Sequence, residues 1–433
     1  MSQFRTPAPR PDASSIRSPI TLDDLTADLF WPKLLRGPVM ALRPTRLGIC
    51  FFLIVFASVV LSLCGWIETT LNWRGGDDAV REFEVAKGQC LAAFQTWNLS
   101  VAVASFIEGL TILPLAAFNA HPVGSTLGTL LILIAWCIAF GAVARSAACE
   151  VAGLRSPRWP EMIAFAVSRW ASLVGAVVLP LVLVAAIGLG IAVAGLTMRV
   201  PILTLVGAAL FGLLLMAGAV CVFLLGVYML GHWILIPAIA SEGSDGVDAV
   251  QRTYAYVIGR PLRLILYLAI LLVQGIIVAS IILALVGAAV SFTTRAASPW
   301  AGPDARTMLW QAHAGAVAGD QAEQAVVHAA AASQAAAEDG ATLKDGKPQL
   351  ERNFSFAWGA KVIQLWMLVP LTLGSAFVLS YIMCGSTLLY LIMRRVNDGQ
   401  DVAEIWQPRA RGADPDELGI PIDGAPEAEG DAD

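Results

Sequence analysis

Six long stretches without a single Asp, Glu, Lys or Arg constrain this chain more than anything else in it. They are Leu47–Ile67, Ser125–Ala144, Trp170–Leu196, Ile202–Ile236, Leu264–Phe292 and Val362–Met393. Each supplies the about 20 apolar residues that a helix needs to cross a ~30 Å hydrocarbon layer. Lipid offers no partner to a backbone N–H or C=O, so such stretches must be helical. Composition agrees, with 57% hydrophobic and 14% charged residues, against roughly 45–50% and 25% in soluble domains. The same figures exclude a disordered chain and a small disulfide scaffold. A net charge of −5 leaves no basic excess to hold nucleic acid. The expected fold is an all-α integral membrane protein with six transmembrane helices.

A seventh apolar stretch, Trp97–Phe118, carries Glu108 at its middle and Pro114 near its end. A centred acid costs roughly 2.5–3.5 kcal/mol on insertion scales. Charge asymmetry assigns this stretch a place. With six spans, 18 of the 28 Lys and Arg fall on the side that holds both termini and the turns around Arg155 and Arg252. Lys/Arg excess in short loops marks the cytoplasm, so both termini are expected inside, in a bacterial inner membrane. A seventh span would scatter that excess. Trp97–Phe118 is therefore read as a re-entrant or interfacial helix on the outer side. The mostly polar stretch ahead of Leu47 is too long for the n-region of a cleaved signal, and the first span is expected to act as an uncleaved anchor. Trp66, Trp73, Trp159, Trp170, Trp233 and Trp358 fall at interface positions, as an aromatic belt requires.

Domain organisation follows from these spans. Residues 1–46 form a cytoplasmic segment in which Thr21–Arg36 reads as a surface helix, with Thr21 and Asp24 as its cap. A five-span core with the outer helix occupies 47–292, an extracytoplasmic helical loop 293–359, the sixth span 360–395, and an acidic tail expected to be disordered 396–433. Two cytoplasmic connections look alike. One is opened by Ser156–Glu161 and holds Met162, Phe165 and Arg169. In the other, Asp245 is placed as N-cap of a helix whose Val247, Val250, Tyr254 and Val257 recur at helical spacing. Both end on an Arg that opens the next span, which suggests a pair of related helical hairpins. In the outer loop, Pro303 can open a helix, and Ala318, Ala322, Ala325, Ala329, Ala332 and Ala336 form a heptad seam of alanine. That seam fits either a solvated helix or a surface for a protein partner or a second copy.

Signals for chemistry are sparse. His121, His232, His313 and His328 lack metal-ligand spacing. Gly340–Lys347 lacks the spacing and the Ser/Thr of a phosphate loop. Gly188 and Gly190 lie inside a span with no strand before them, and there, like Ala208 and Gly212, permit close helix packing. No catalytic residue, metal or cofactor is expected. Cys64 and Cys90 both fall near the outer side, where they are either bonded or two free thiols. Glu108 either binds a cation or relays protons, or faces water or a loop Arg. Arg145, Glu150, Arg169, His232, Glu242, Asp248 and Arg252 form a cytoplasmic cluster that lines a vestibule, binds lipid phosphate, or fixes helix ends. Pro180, Pro237 and Pro370 are candidate kinks.

The segment Trp233–Tyr254 resembles one that recurs in polytopic bacterial membrane proteins. It is similar to the membrane domain that accompanies some glycerophosphodiester phosphodiesterases. Trp31–Arg36, Ala41–Pro44 and Arg394–Gly399 resemble membrane proteins of planctomycete-type bacteria. The hydrolase domain has no counterpart in this sequence, so the resemblance implies class and compartment only. The function expected is that of a non-catalytic scaffold or accessory subunit in the lipid bilayer. The alternative is a small-solute or lipid transporter.

Overall fold

The computed structural model describes residues 31–72, 77–96, 98–199, 201–318 and 349–407. Every regular element in them is helical. A 3-10 turn, Trp31–Arg36, leads into a short helix α1 (Gly37–Ala41) and the first long helix α2 (Pro44–Thr70). Two helices follow, α3 (Asp77–Gln95) and α4 (Leu99–Ala120), then a π turn at Gly124–Gly128 that continues as α5 (Thr129–Val151). Next come α6 (Trp159–Ser168), α7 (Trp170–Thr197), α8 (Pro201–Glu242), α9 (Gly246–Gly259) and α10 (Pro261–Ala297). Last are α11 (Pro303–Ala318) and α12 (Gln349–Asp398). The Thr21–Asp24 cap, the alanine seam from Ala322 to Ala336, Trp73 and the acidic residues from Asp414 onward lie outside the described residues.

Six helices are long and apolar enough to cross a membrane: Pro44–Thr70, Gly124–Val151, Trp170–Leu196, Phe211–Glu242, Pro261–Ala297 and Trp358–Asp398. They overlap the six charge-free stretches: Trp170–Leu196 has the same bounds, the fourth starts at Phe211 and runs on to Glu242, and the other four are longer than the stretch read from the sequence. This is an all-α polytopic membrane architecture. Pro180, Pro237 and Pro370 lie inside continuous helices. Trp66, Trp159, Trp170 and Trp358 face outward.

Successive long helices run in alternating directions, so α2, α7 and α10 start where α5, α8 and α12 end. That end is tightly packed. Ala139–Cys149 of α5, Ile234–Ser241 of α8 and Met383–Arg394 of α12 are buried on all sides, the mark of an interior helix. α12 is the axis, packing against α1, α2, α5, α8 and α10. At the other end the helices splay. Only 11% of the apolar window of α7 and of α8, and 6% of that of α10, is buried, so most of their surface is left to lipid. At 42 residues α8 is ~63 Å long, about twice the hydrocarbon thickness.

Two expectations need correction. Asp245 occupies the N-cap position of α9 but its side chain makes no capping bond. Val250, Tyr254 and Val257 do pack against the core, beside the buried Gly246, Ala249, Thr253 and Tyr256, but Val247 is exposed. Small residues are needed in its first turn, where α9 lies so close to α7 that a methyl on Gly246 would stand 2.6 Å from the Ser172 carbonyl oxygen.

Candidate functional site

The polar residues of the closed end are ordered by the helix termini that carry them. Arg46, in the first turn of α2, is fully buried. Its Nη2 pairs with Glu150 Oε2 at 2.6 Å, its Nη1 donates to the Met40 carbonyl at 2.7 Å, and its Nε to Ser146 Oγ at 3.1 Å. The other oxygen of Glu150 takes Arg43 Nη2 at 2.8 Å. One carboxylate at the C-terminus of α5 thus clamps the N-terminus of α2, and the Arg46 guanidinium lies where the α5 dipole favours a cation.

A second node surrounds Glu242, the last residue of α8. Its Oε2 pairs with Arg252 Nη1 of α9 at 2.5 Å, and its Oε1 lies 3.7 Å from Arg394 Nη1 and accepts from the Tyr390 hydroxyl of α12. Arg252 also holds Asp248, one turn back, at 3.2 Å. Burial opposes the Arg252 charge, but Glu242 and Asp248 outweigh it and hold the guanidinium pKa above its usual value. Arg394, 2% exposed, also donates to the carbonyls of Asp401 and Glu404. It thereby ties down the segment that follows α12. The Tyr256 hydroxyl donates to Asp398, and burial, reinforced by that bond, pushes its pKa up.

The third node caps the C-terminus of α8. Four carbonyls at a helix end have no partner within the helix. Here Ala240 receives Arg145 Nη1 at 3.1 Å, Ser241 receives the Trp406 amide at 2.8 Å, and Gly243 receives Arg169 Nη1. The Arg145 guanidinium lies 5.2 Å from the Phe165 ring centre and 5.6 Å from that of Trp406; Arg169 lies at 5.7 and 4.8 Å. Gly243 has φ +64°, and the indole of Trp406 fills the space a side chain would take. Glycine is required there on both counts.

Six of the seven residues read as one cytoplasmic cluster therefore meet at this end, divided among three nodes. His232 does not join them. Its Nδ1 contacts the Met229 carbonyl at 2.8 Å and its ring lies 4.3 Å from Trp233. Ten residues along α8 put it ~15 Å from Glu242 on a different face, a separation that proximity in sequence conceals. Arg46, Arg394, Tyr390, Tyr256 and Trp406 enter the nodes without having been singled out. Charge counting places Arg46 and Arg394 just outside spans, whereas one more helical turn carries each inside.

Glu108 is exposed on α4. α3 and α4 pack as a hairpin through Ala86 and Ala93 on one side and Ser105, Gly109 and Ala116 on the other. Cys64 and Cys90 are free thiols. Cys64 is packed against the π turn, its sulfur 3.3 Å from where a methyl on Gly128 would sit, so it faces a helix. Beside it is an acid that sequence reasoning passed over. Glu68 accepts the Val123 and Gly124 amides, each at 2.9 Å, and contacts His121 Nδ1 at 2.8 Å. It caps the start of the second membrane-spanning helix, the π turn that continues as α5, from the end of the first, α2.

No family model, curated protein or solved structure matches the chain. Among the described residues no group of three His, Cys, Asp or Glu is placed to hold a metal ion. What the nodes do is join helix ends. Glu150 and Glu242 each bind two arginines from other segments, so their lone pairs are taken up by structure. The segment Trp233–Tyr254 folds as the end of α8, the Gly243 turn and most of α9.

Proposed function

We propose that the chain is a non-catalytic scaffold or accessory subunit of a bacterial inner-membrane complex, with its closed end and both termini in the cytoplasm. The observation that carries this reading is the double engagement of Glu150 and Glu242. These two partly buried acids fasten five helices, α2 to α5 and α8 to α9 and α12. The cytoplasmic side is supported by the Lys/Arg excess in the connections at that end.

The partner surface proposed is the outward face of α4. Val101, Leu115 and Glu108 lie seven residues apart along it, flanked by Phe106 and Leu113, and these apolar side chains are 42–57% exposed. A photo-crosslinking residue in place of Val101 or Leu115, activated in native membranes, is expected to give one reproducible protein adduct. Adducts with lipid alone at both positions would contradict the scaffold reading.

A lateral groove favours a second reading, a lipid or small-solute transporter. It lies between α10 and α12, has a volume of about 230 Å³, and is floored by Gly275, Tyr381 and Gly385. Transport through it should be blocked by Ala279→Phe, whereas a scaffold would keep its partner in that variant.

A further inference from the structure

We propose that Arg145, Arg169, Phe165 and Trp406 form a binding site for the phosphate of an anionic phospholipid. The inference is independent of the scaffold reading and rests on the charge balance of the third node.

Arg145 and Arg169 lie against the same two rings, Phe165 and Trp406, at 4.8–5.7 Å. Two guanidiniums thus stand side by side, and among the described residues neither forms an ion pair with a carboxylate. The acids of the neighbouring elements are accounted for. Glu150 is held by Arg43 and Arg46, Glu242 by Arg252 and Arg394, Asp248 by Arg252, and Glu161 accepts the Arg158 amide at the start of α6. Asp245 is exposed and makes no ion pair. Glu404, two residues from Trp406, is likewise exposed to water, so the negative charge built into the node itself is the dipole of the α8 C-terminus, equivalent to about half an elementary charge. It is set against two full positive charges. Ring faces add quadrupole attraction but no net charge. The node therefore carries a surplus of more than one positive charge, in a place only partly open to water.

Position selects the anion. Arg169 sits between α6 and α7 and next to Trp170, which with Trp159 faces outward at the level where interfacial tryptophans meet headgroups. Trp406, Phe165 and Arg169 are partly exposed, which leaves the pair reachable from that level. Basic pockets among helix ends on the cytoplasmic side suit phospholipid headgroups. A guanidinium fork also matches a phosphate better than an ammonium would.

The test uses the full-length protein in a mild neutral detergent, with bound lipid counted by native mass spectrometry. The probes are phosphatidylglycerol, phosphatidylcholine and inorganic phosphate. Phosphatidylglycerol is expected to be retained over phosphatidylcholine, and Arg169→Gln to weaken that retention about tenfold, the usual effect of losing one charge-assisted hydrogen bond. Arg155→Gln, at an exposed arginine before α6, should leave it unchanged. Both arginines also bond carbonyls at the end of α8, so the more exposed Arg169→Gln is the deciding variant, and its melting midpoint without lipid reports whether it is folded. Equal retention of the two lipids, or equal loss in both variants, would overturn the proposal. Displacement of phosphatidylglycerol by inorganic phosphate at equal concentration would overturn the lipid assignment.

Discussion

At Gly246 the first turn of α9 rests on the backbone of α7, and an added methyl would stand 2.6 Å from Ser172 O and 3.1 Å from Ala176 N. Backbone cannot rotate aside, so Gly246→Ala should destabilise by about 1–3 kcal/mol. A thermal melt in detergent checks it; an unchanged midpoint would mean that α7 and α9 can separate freely. Tyr256 gives a pH test. Its phenol pKa is raised in the fold by burial and the bond to Asp398, so folding favours the neutral form. That contribution is full below the unfolded value of about 10 and is lost as pH rises through the higher folded value. Tyr256→Phe should therefore flatten the alkaline fall in stability, while a steep fall kept in the variant would assign it to other groups. Single residues were the least legible part of the sequence. Arg145 and Glu242 stand out as charges beside apolar runs, but the partners that define them, Trp406 and Tyr390, are 261 and 148 positions away. Tertiary pairing of that kind leaves no local pattern to read.

Elements were far more legible, because lipid imposes one rule on all of them. A run of about 20 apolar residues has to be a helix, and each such run is one. Their ends were not legible. Charge stops a run in sequence, whereas a helix continues until its last carbonyls find donors, as α8 does beyond Pro237 to Glu242. The α3–α4 hairpin was half seen. Trp97–Phe118 reads as a helix from its apolarity, but α3 is too polar to announce itself. What joins them is a seam of small side chains, Ala86 and Ala93 against Ser105, Gly109 and Ala116, of the kind that lets helices approach closely. A Cβ on Gly109 would lie 3.7 Å from that of Ala86. An alanine is therefore tolerated there and a leucine is not. Gly109→Leu should speed amide hydrogen exchange across residues 77–120 and Gly109→Ala should not. Equal exchange in both variants would remove the seam as the reason the hairpin holds.

The whole molecule is a bundle fastened at one end and splayed at the other. The positive-inside count located the charged end, and the structure adds that its charges are interlocked, with six guanidiniums and four carboxylates shared among three nodes. Packing follows the same gradient. The slowest-exchanging amides should fall in Ala139–Cys149, Ile234–Ser241 and Met383–Arg394, and the outer halves of α7 and α8 should exchange faster. Uniform protection along α8 would contradict the gradient. The account turns on one claim, that the buried charges serve to hold the helices together. A double-mutant cycle on Arg46 and Glu150 tests it most directly. Arg46 is wholly buried, so Glu150→Gln leaves an uncompensated charge and should cost about 3–5 kcal/mol. Arg46→Met/Glu150→Gln should recover much of that loss, since the charge then left without Glu150 is Arg43, which is exposed to water. Strictly additive losses, or no loss from Glu150→Gln, would contradict the account.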